Sequence, residues 1–256
     1  WPQGSVAGRF LPGGGIALAV GYHSAYAQGT RPDLFVVPED PKRQLWEKRM
    51  LADIAYGEEM LACDVDGDGK LDIVAGPWLL ENLGDGTFRP HRYAGGMRGD
   101  RIAVADIDGD GHPDIVLGDA EVASGMKNVP FSRLAWFRHP GTNPFSGTWT
   151  MRVIDTVRCP HSVAAVDVDG DGEKEIVCGE HDIAKRCRTR CRLIVYKKAD
   201  EEGMSWKAHA ADHRFEHHCG VKEIALPSGN PGIVSHGWLD RIYVHLWEFE
   251  RNRAAE

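Results

Sequence analysis

The chain has 256 residues, 42% of them hydrophobic and 9% aromatic, enough to bury a substantial core in one large domain or two small ones. No run of 18 apolar residues occurs, so no helical membrane span is expected. The formal charge is −8, and no basic block of the kind a nucleic-acid binder presents stands out.

The sequence starts at Trp1, without a methionine or a basic-then-apolar leader, and reads as a mature or trimmed chain whose export signal, if any, is gone. LPGGGIALAVG, from Leu11 to Gly21, is the first of five related segments. DVDGDGKLDIVAG follows at Asp64, DIDGDGHPDIVLG at Asp106 and DVDGDGEKEIVCG at Asp167. LPSGNPGIVSH, from Leu226 to His236, keeps only the apolar end. The central apolar residues Leu18, Ile73, Ile115, Ile176 and Ile233 are spaced by 55, 42, 61 and 57. Periods near 50 residues signal propellers or solenoids.

Each unit reads as four antiparallel strands. An apolar strand enters the Asp loop, as in IAVADIDGDG, and a β-branched strand leaves it, as in DIVLG. The third strand is DLFVV, WLLENL, RLAWF, RLIVY or RIYVHLW. An aromatic-led fourth closes the unit: WEKRML, FRPHRY, WTMRVI or WKAHA. Trp46, Phe88, Trp149 and Trp206 each lie 18 residues before the first loop position, which is Asp64, Asp106, Asp167 or Ile224. The variable length therefore falls between second and third strands. The predicted fold is an all-β, single-domain β-propeller over residues 1–256. It has about five four-stranded blades, with repeats at about 5–54, 55–97, 98–155, 156–212 and 213–256. The fifth repeat runs out at RIYVHLWEFE. Its fourth strand is missing unless the N-terminal WPQGSV supplies it, with a truncated chain or blades lost from a larger ring as the alternative.

Each complete loop crowds four carboxylates into nine residues: Asp64, Asp66, Asp68 and Asp72; Asp106, Asp108, Asp110 and Asp114; Asp167, Asp169, Asp171 and Glu175. Hard oxygens at positions 1, 3, 5 and 9, with glycine at 6 for the turn, suit Ca2+. The backbone carbonyls of Lys70, His112 and Glu173 would add a ligand. An EF-hand needs a bidentate glutamate at position 12. Here Ala75, Leu117 and Cys178 stand there between strands, so the loop is EF-like only in its first half. Three Ca2+ ions would bring the net charge to about −2. Solvated Asp/Gly turns are the plain alternative. Loops of this kind favour an extracytoplasmic setting, secreted or periplasmic, where Ca2+ is millimolar. The six cysteines decide little. Cys63 and Cys178 read as small buried hydrophobes, while Cys187 and Cys191 are open to disulfide, metal or free-thiol states.

These D-x-D-G-D-G-x-x-D/E-I-V units resemble the FG-GAP/VCBS repeats of integrin α-chain propellers and of many secreted bacterial and fungal proteins. The resemblance implies a propeller with calcium between first and second strands. It implies no single activity, since such propellers include adhesion modules, lectins and lyases.

The opposite face collects chemistry. Six residues before each first loop position stand Gln3, Glu58, Asp100, His161 and His218. The loops after the second strands carry Tyr22 and His23, Trp78, Asp119 and Glu121, Glu180 and His181, then His236 and Trp238. Polar side chains that merely solvate a channel mouth are the plain reading. Cys159, His161, His218 and Cys219 are zinc-ligand types, which makes Zn2+ near the axis a second alternative. Aromatic platforms beside carboxylates suit carbohydrate, with His23, Glu58, Trp78, Asp100, His181, His236 and Trp238 as substrate contacts. A polysaccharide lyase needs a base for the proton α to a uronate carboxyl, and His161 or His218 fits, with Tyr22 as proton donor. In outline this resembles propeller lyases acting on ulvan or rhamnose–glucuronate polymers. A lectin or adhesion module would use the same groups without chemistry. It should then repeat its residues in every blade, and here they differ. Glycoside hydrolysis by Glu58 and Asp100 stays open. The partner expected is a polysaccharide or oligosaccharide, with no nucleic acid and no membrane span.

Overall fold

The computed structural model of the chain describes residues 2–22, 31–54, 58–119, 131–181, 191–237 and 243–249. The chain is all-β, and its sheets are five blades of the β-propeller class. They fall into two compact units.

The first unit comprises residues 1–98 and 139–150. It opens with β1 (Pro2–Leu11), a 310 turn (Pro12–Gly14), β2 (Gly15–Tyr22), β3 (Asp33–Val36) and β4 (Glu47–Met50), paired in that order. A second sheet follows the same order: β5 (Met60–Cys63), β6 (Asp72–Ala75), β7 (Trp78–Asn82) and β8 (Phe88–Arg92). The second unit comprises residues 99–138 and 151–256. It holds β9 (Arg101–Ala105), β10 (Asp114–Gly118), β11 (Ser132–Arg138) and β12 (Thr150–Val157). Next come β13 (Pro160–Val166), β14 (Glu175–Glu180), β15 (Leu193–Lys198) and β16 (Trp206–Asp212). The last sheet has three strands among the described residues: β17 (Cys219–Ala225), β18 (Pro231–His236) and β19 (Val244–Glu248).

The paired strands run antiparallel. Every residue of β6, β10 and β14 is buried, which explains why DIVA, DIVLG and EIVCG read as unbroken apolar runs after their first carboxylate. The fourth strand β4 is exposed throughout, and EKRM has the composition of an edge. The repeat markers Ile73, Ile115, Ile176 and Ile233 are 0–1% exposed, and Leu18 is half-buried. In the first unit Ile73 packs with Phe10, Leu34, Leu80 and Phe88. In the second, Ile176 packs with Trp136, Val163 and Tyr196, and Ile233 with Val177, Leu193 and Val221.

The aromatic landmarks have a local reason. The indole N–H of Trp46 donates to Pro41 O at 3.1 Å, that of Trp149 to Pro144 O at 2.8 Å and that of Trp206 to Gly203 O at 3.2 Å. Each tryptophan thus ties down the turn that delivers the fourth strand. One expectation is corrected. Pro2–Leu11 is the first strand of the first sheet, paired from Pro2↔Tyr22 to Leu11↔Gly15. It belongs to the first sheet and is not among the strands of the last one. Cys178 is buried and Cys63 half-buried, both as unbridged thiols, in line with their reading as small hydrophobes. Cys191 is buried, and Cys187 lies outside the described residues.

Candidate active site

The loops between first and second strands come first, because their geometry repeats. In each, one oxygen from positions 1, 3 and 9 lies within 4.8 Å of the others: Asp64, Asp66 and Asp72; Asp106, Asp108 and Asp114; Asp167, Asp169 and Glu175. The position-1 carboxylate accepts the backbone N–H groups of positions 4 and 6, as Asp64 does from Gly67 and Gly69, both at 2.9 Å. Gly67 and Gly69 have φ of 77° and 84°, which the turn requires and a side chain would resist. The position-9 carboxylate reaches back to position 2: Val65 N–H donates to Asp72 at 3.0 Å, Ile107 to Asp114 at 3.1 Å and Val168 to Glu175 at 2.9 Å. The expected position-5 ligands Asp68, Asp110 and Asp171 stay outside these groups. They accept the N–H of position 7 instead.

A basic side chain stands at every loop. Lys70 pairs with Asp68, Arg138 with Asp108 and Asp110, and Lys197 with Asp169, Asp171 and Glu175. Burial pushes Asp72 up to about 6; its backbone hydrogen bonds oppose this and the charges of Asp66 and Asp64 add to it. Glu175 is raised as well, again chiefly by burial. Asp108 Oδ2 is buried and paired with the Arg138 guanidinium. Crowded hard oxygens and recruited cationic side chains together fit a divalent cation such as Ca2+.

A second cluster lies in the second unit, at the other ends of the same first strands. The rings of His161 and His218 stack with centroids 4.0 Å apart and planes 22° apart. His181 meets His218 edge-on at 4.2 Å and His161 at 5.2 Å. His161 Nδ1 donates to the His218 carbonyl at 2.6 Å, which leaves Nε2 with its lone pair. The Arg101 guanidinium lies against the His161 ring, Nη2 being 3.2 Å from Nδ1 and 3.4 Å from Nε2, while Arg101 Nε donates to His161 O at 3.0 Å. His181 Nδ1 is held in a close pair by Glu216. All five side chains are buried.

The sheet geometry explains the convergence. The pairing of β13 with β14 is irregular between Pro160 and Ser162, so His161 sits where the ladder slips. Such irregularities re-aim a side chain. The β17–β18 ladder slips likewise between Cys219 and Lys222, just after His218. Glycines ending the second strands let the next first strand come close. A Cβ on Gly118 would lie 2.5 Å from Pro160 O, and one on Gly179 would lie 2.6 Å from His217 O. Backbone bonds then fix the histidines. His181 N–H donates to Cys159 O at 3.1 Å and His217 N–H to Glu180 O at 3.2 Å. Cys159 has a φ of 38°, an uncommon conformation for a residue with a side chain. Glu180 is fully committed to structure. It accepts the N–H groups of Arg158 and Arg192 and both arms of the Arg192 guanidinium.

Burial holds His161 well below the usual imidazole range, and Arg101, His218 and His181 add to that effect. His218 is driven down to about 2 by burial, then by His181, Arg101 and His236. Both rings are therefore neutral beside a fixed cation.

Of the residues expected at the site, the second unit brings His161, His181, His218 and His236 together, with Asp100 buried one residue before Arg101. Tyr22, Glu58 and Trp78 belong to the first unit. There the Tyr22 hydroxyl donates to Asp33 at 2.7 Å, Gln3 donates its amide to Glu58, and the Arg92 guanidinium covers the Trp78 ring at 5.7 Å. His23, Glu121 and Trp238 lie outside the described residues, as does the Cys219 side chain, one of four zinc candidates. Among the described residues, only the acidic loops gather three potential metal-ligand atoms.

Sequence reasoning missed Arg101 and Glu216. Arg101 stands one residue past the register position that singled out Asp100, and the slip at His161 removes the equivalence on which that register rested. Glu216 precedes His217 and His218 in a loop, where no periodicity flags it. A third buried arrangement also escaped: Trp247 Nε1 donates to Ser235 Oγ at 3.0 Å, and Ser235 Oγ lies 3.0 Å from His217 Nδ1. His217 Nε2 faces Asp212 at 3.4 Å. The order of groups is that of a hydrolase triad, but Ser235 and His217 are 0% exposed, so this is a structural clamp.

Blades of this kind, with Asp-rich turns between first and second strands, define an FG-GAP-type β-propeller. Residues 64–117 match the model of the FG-GAP-like repeat, which together with the five blades supports a resemblance to the FG-GAP β-propellers. No curated protein matches the sequence significantly. Among solved structures, the intramolecular trans-sialidase of Ruminococcus gnavus is 10% identical, with a TM-score of 0.45 over 91% of this chain and 50% of that one. The leech intramolecular trans-sialidase is 12% identical, with a TM-score of 0.45 over 92% of this chain and 36% of that one. The V. cholerae biofilm matrix protein Bap1 is 10% identical, with a TM-score of 0.46 over 98% of this chain and 69% of that one. The chain thus spans half or less of the length of the two trans-sialidases.

Proposed function

We propose that the chain is a carbohydrate-active propeller, a polysaccharide lyase that cleaves a uronate-containing polymer by β-elimination. The observation that carries this reading is a buried arginine packed against imidazoles that are neutral. Elimination requires three things: a cation for the uronate carboxylate, a base for the proton α to it, and a proton for the departing oxygen. Arg101 supplies the first, and in a water-poor site its pairing with a carboxylate is strong.

The base takes the C5 proton, the C–H electron pair becomes the new C4–C5 double bond, and the C4–O bond breaks with its electrons on oxygen. Three imidazoles are candidates. His161 and His218, the residues expected from sequence, would have to become cations beside Arg101. His181 is better placed by charge, since Glu216 holds its Nδ1 and offsets the imidazolium that forms. When the substrate carboxylate neutralises Arg101, the penalty on His161 also falls. Tyr22 keeps its proton to high pH, pushed up to about 12 by burial and then by its bond to Asp33. Tyr22 belongs to the other unit, and the departing oxygen takes its proton from the imidazolium that the base has become or from water.

We propose further that the acidic loops hold Ca2+ in about three sites, with positions 1, 3 and 9 as carboxylate ligands. The ion would tie the turn between first and second strands and keep both strands in place for the histidine cluster. Such loops suit a setting where Ca2+ is abundant, and an extracytoplasmic location is proposed on that ground.

The test is incubation with a panel of uronate polysaccharides, following the absorbance of the unsaturated product. Arg101→Met and His181→Ala should each abolish it, and His161→Ala should weaken it. Absence of product on every polymer, with glycan binding retained, would replace the lyase by a lectin that uses the same cation as its anion subsite.

A further inference from the structure

The last sheet departs from the other four in a way that register makes exact to the residue. Each third strand has one residue paired with the position after the repeat marker: Leu34 with Ala19, Leu79 with Val74, Trp136 with Val116, Val195 with Val177 and Leu246 with Val234. Four of these are buried, at 1%, 0%, 0% and 8% exposure, whereas Leu246 is 59% exposed. Tyr243 and Val244 are exposed as well, at 46% and 71%. In the other sheets a fourth strand lies along the far side of the third. Among the described residues no strand pairs with the far side of β19. An apolar edge of this kind is a template for another strand.

The same register says what such a strand should carry. Glu248 follows the partner of Ile233, as Glu81 follows the partner of Ile73. Glu81 receives Arg89 at 3.4 Å and His91 at 2.7 Å from the fourth strand β8. Those two residues are two apart and so share a face. Among the described residues, Glu248 accepts from the Asn230 amide at 2.8 Å. Pairing with a second copy is less complementary. Two β19 strands run antiparallel about Leu246 would set Glu248 of each against Val244 of the other.

We propose that β19 is a docking edge for an extended segment of a partner protein, which adds antiparallel to it as a fourth strand. On the face that meets Val244, Leu246 and Glu248, the segment carries a basic residue opposite Glu248, as Arg89 stands opposite Glu81, and side chains that cover Leu246 and Val244. Main-chain hydrogen bonds supply the affinity and the Glu248 pair sets the register.

The test uses the whole chain and a fluorescent peptide with the sequence of residues 86–93, the chain's own fourth-strand pattern, read by anisotropy. Saturable binding is expected, weakened about fivefold by Glu248→Lys, which turns an attraction into a repulsion. A similar loss is expected for Leu246→Lys, which blunts the edge. Both positions are solvent-facing, and unchanged melting temperatures would confirm that the variants fold. The proposal is overturned by absence of saturable binding, or by binding indifferent to both substitutions. It is equally overturned by a dimer that Leu246→Lys dissolves, which would make a second copy the occupant. Amides of residues 244–248 as protected from hydrogen exchange as those of 232–236 would show the edge filled from within the chain, and would overturn it too.

Discussion

His161 and His218, 57 residues apart in sequence, stack their rings at 4.0 Å and share a hydrogen bond from one imidazole to the other's carbonyl. Neither ring can take a proton cheaply in that position, because each is desolvated and each faces Arg101. The site therefore presents neutral imidazole surface beside a permanent cation, an arrangement that attracts an anion rather than repelling it.

That arrangement fixes a pH dependence. His218 falls from its ordinary 6.5 to about 2 in the folded chain. Between those values the unfolded chain binds a proton that the folded chain refuses, so stability rises with pH there. The contribution is complete above the unfolded value and drains away as the pH falls below it towards the folded one. His218→Gln should flatten the fall in melting temperature on acidification from about pH 7 to about pH 4. Parallel melting profiles for the two proteins would show that His218 is not held neutral.

The basic side chains at the acidic loops compete with any ion that binds there. Lys197 touches three carboxylates of the third loop and is held protonated by them, the hydrogen bonds to Asp169 and Asp171 coming first. Ca2+ should raise the melting temperature, by about 2.7 kcal/mol of stability per site at a hundredfold excess over Kd. Lys197→Met should lower the melting temperature in chelator, where the carboxylates lose their counter-charge, and enlarge the gain on adding Ca2+. Calorimetric melts with and without the ion measure both. Equal gains in parent and variant would mean that Lys197 and the ion do not share a site.

Gly179 is a test of how the histidines are delivered. A methyl group there would lie 2.6 Å from the His217 carbonyl and 2.7 Å from its Cβ, in buried backbone with little room to yield. Gly179→Ala should cost about 1–3 kcal/mol, read as a lower urea midpoint. It should also reduce turnover beyond what partial unfolding explains, since the segment carrying His217 and His218 must retreat. Full stability in the alanine variant would show that the close approach is not needed.

Much of the architecture was written locally. The Asp–Gly loops, the β-branched runs behind them and the tryptophans 18 residues ahead each act within one hairpin, so their spacing alone gives strands, blades and turn sites. The acidic groups were legible for the same reason, although only positions 1, 3 and 9 converge while position 5 caps backbone. Which side chains meet at the other end was decided elsewhere. Arg101 comes from one blade, His161 and His181 from the next, and Glu216 and His218 from the segment leading into the last. No local pattern relates them. Two slipped ladders and two glycines that admit a neighbouring backbone bring them together, and a one-residue slip is enough to exchange the expected Asp100 for Arg101. Period and turn chemistry are properties of a short stretch. The field around an imidazole is a sum over everything packed against it, and that sum exists only once the chain has folded.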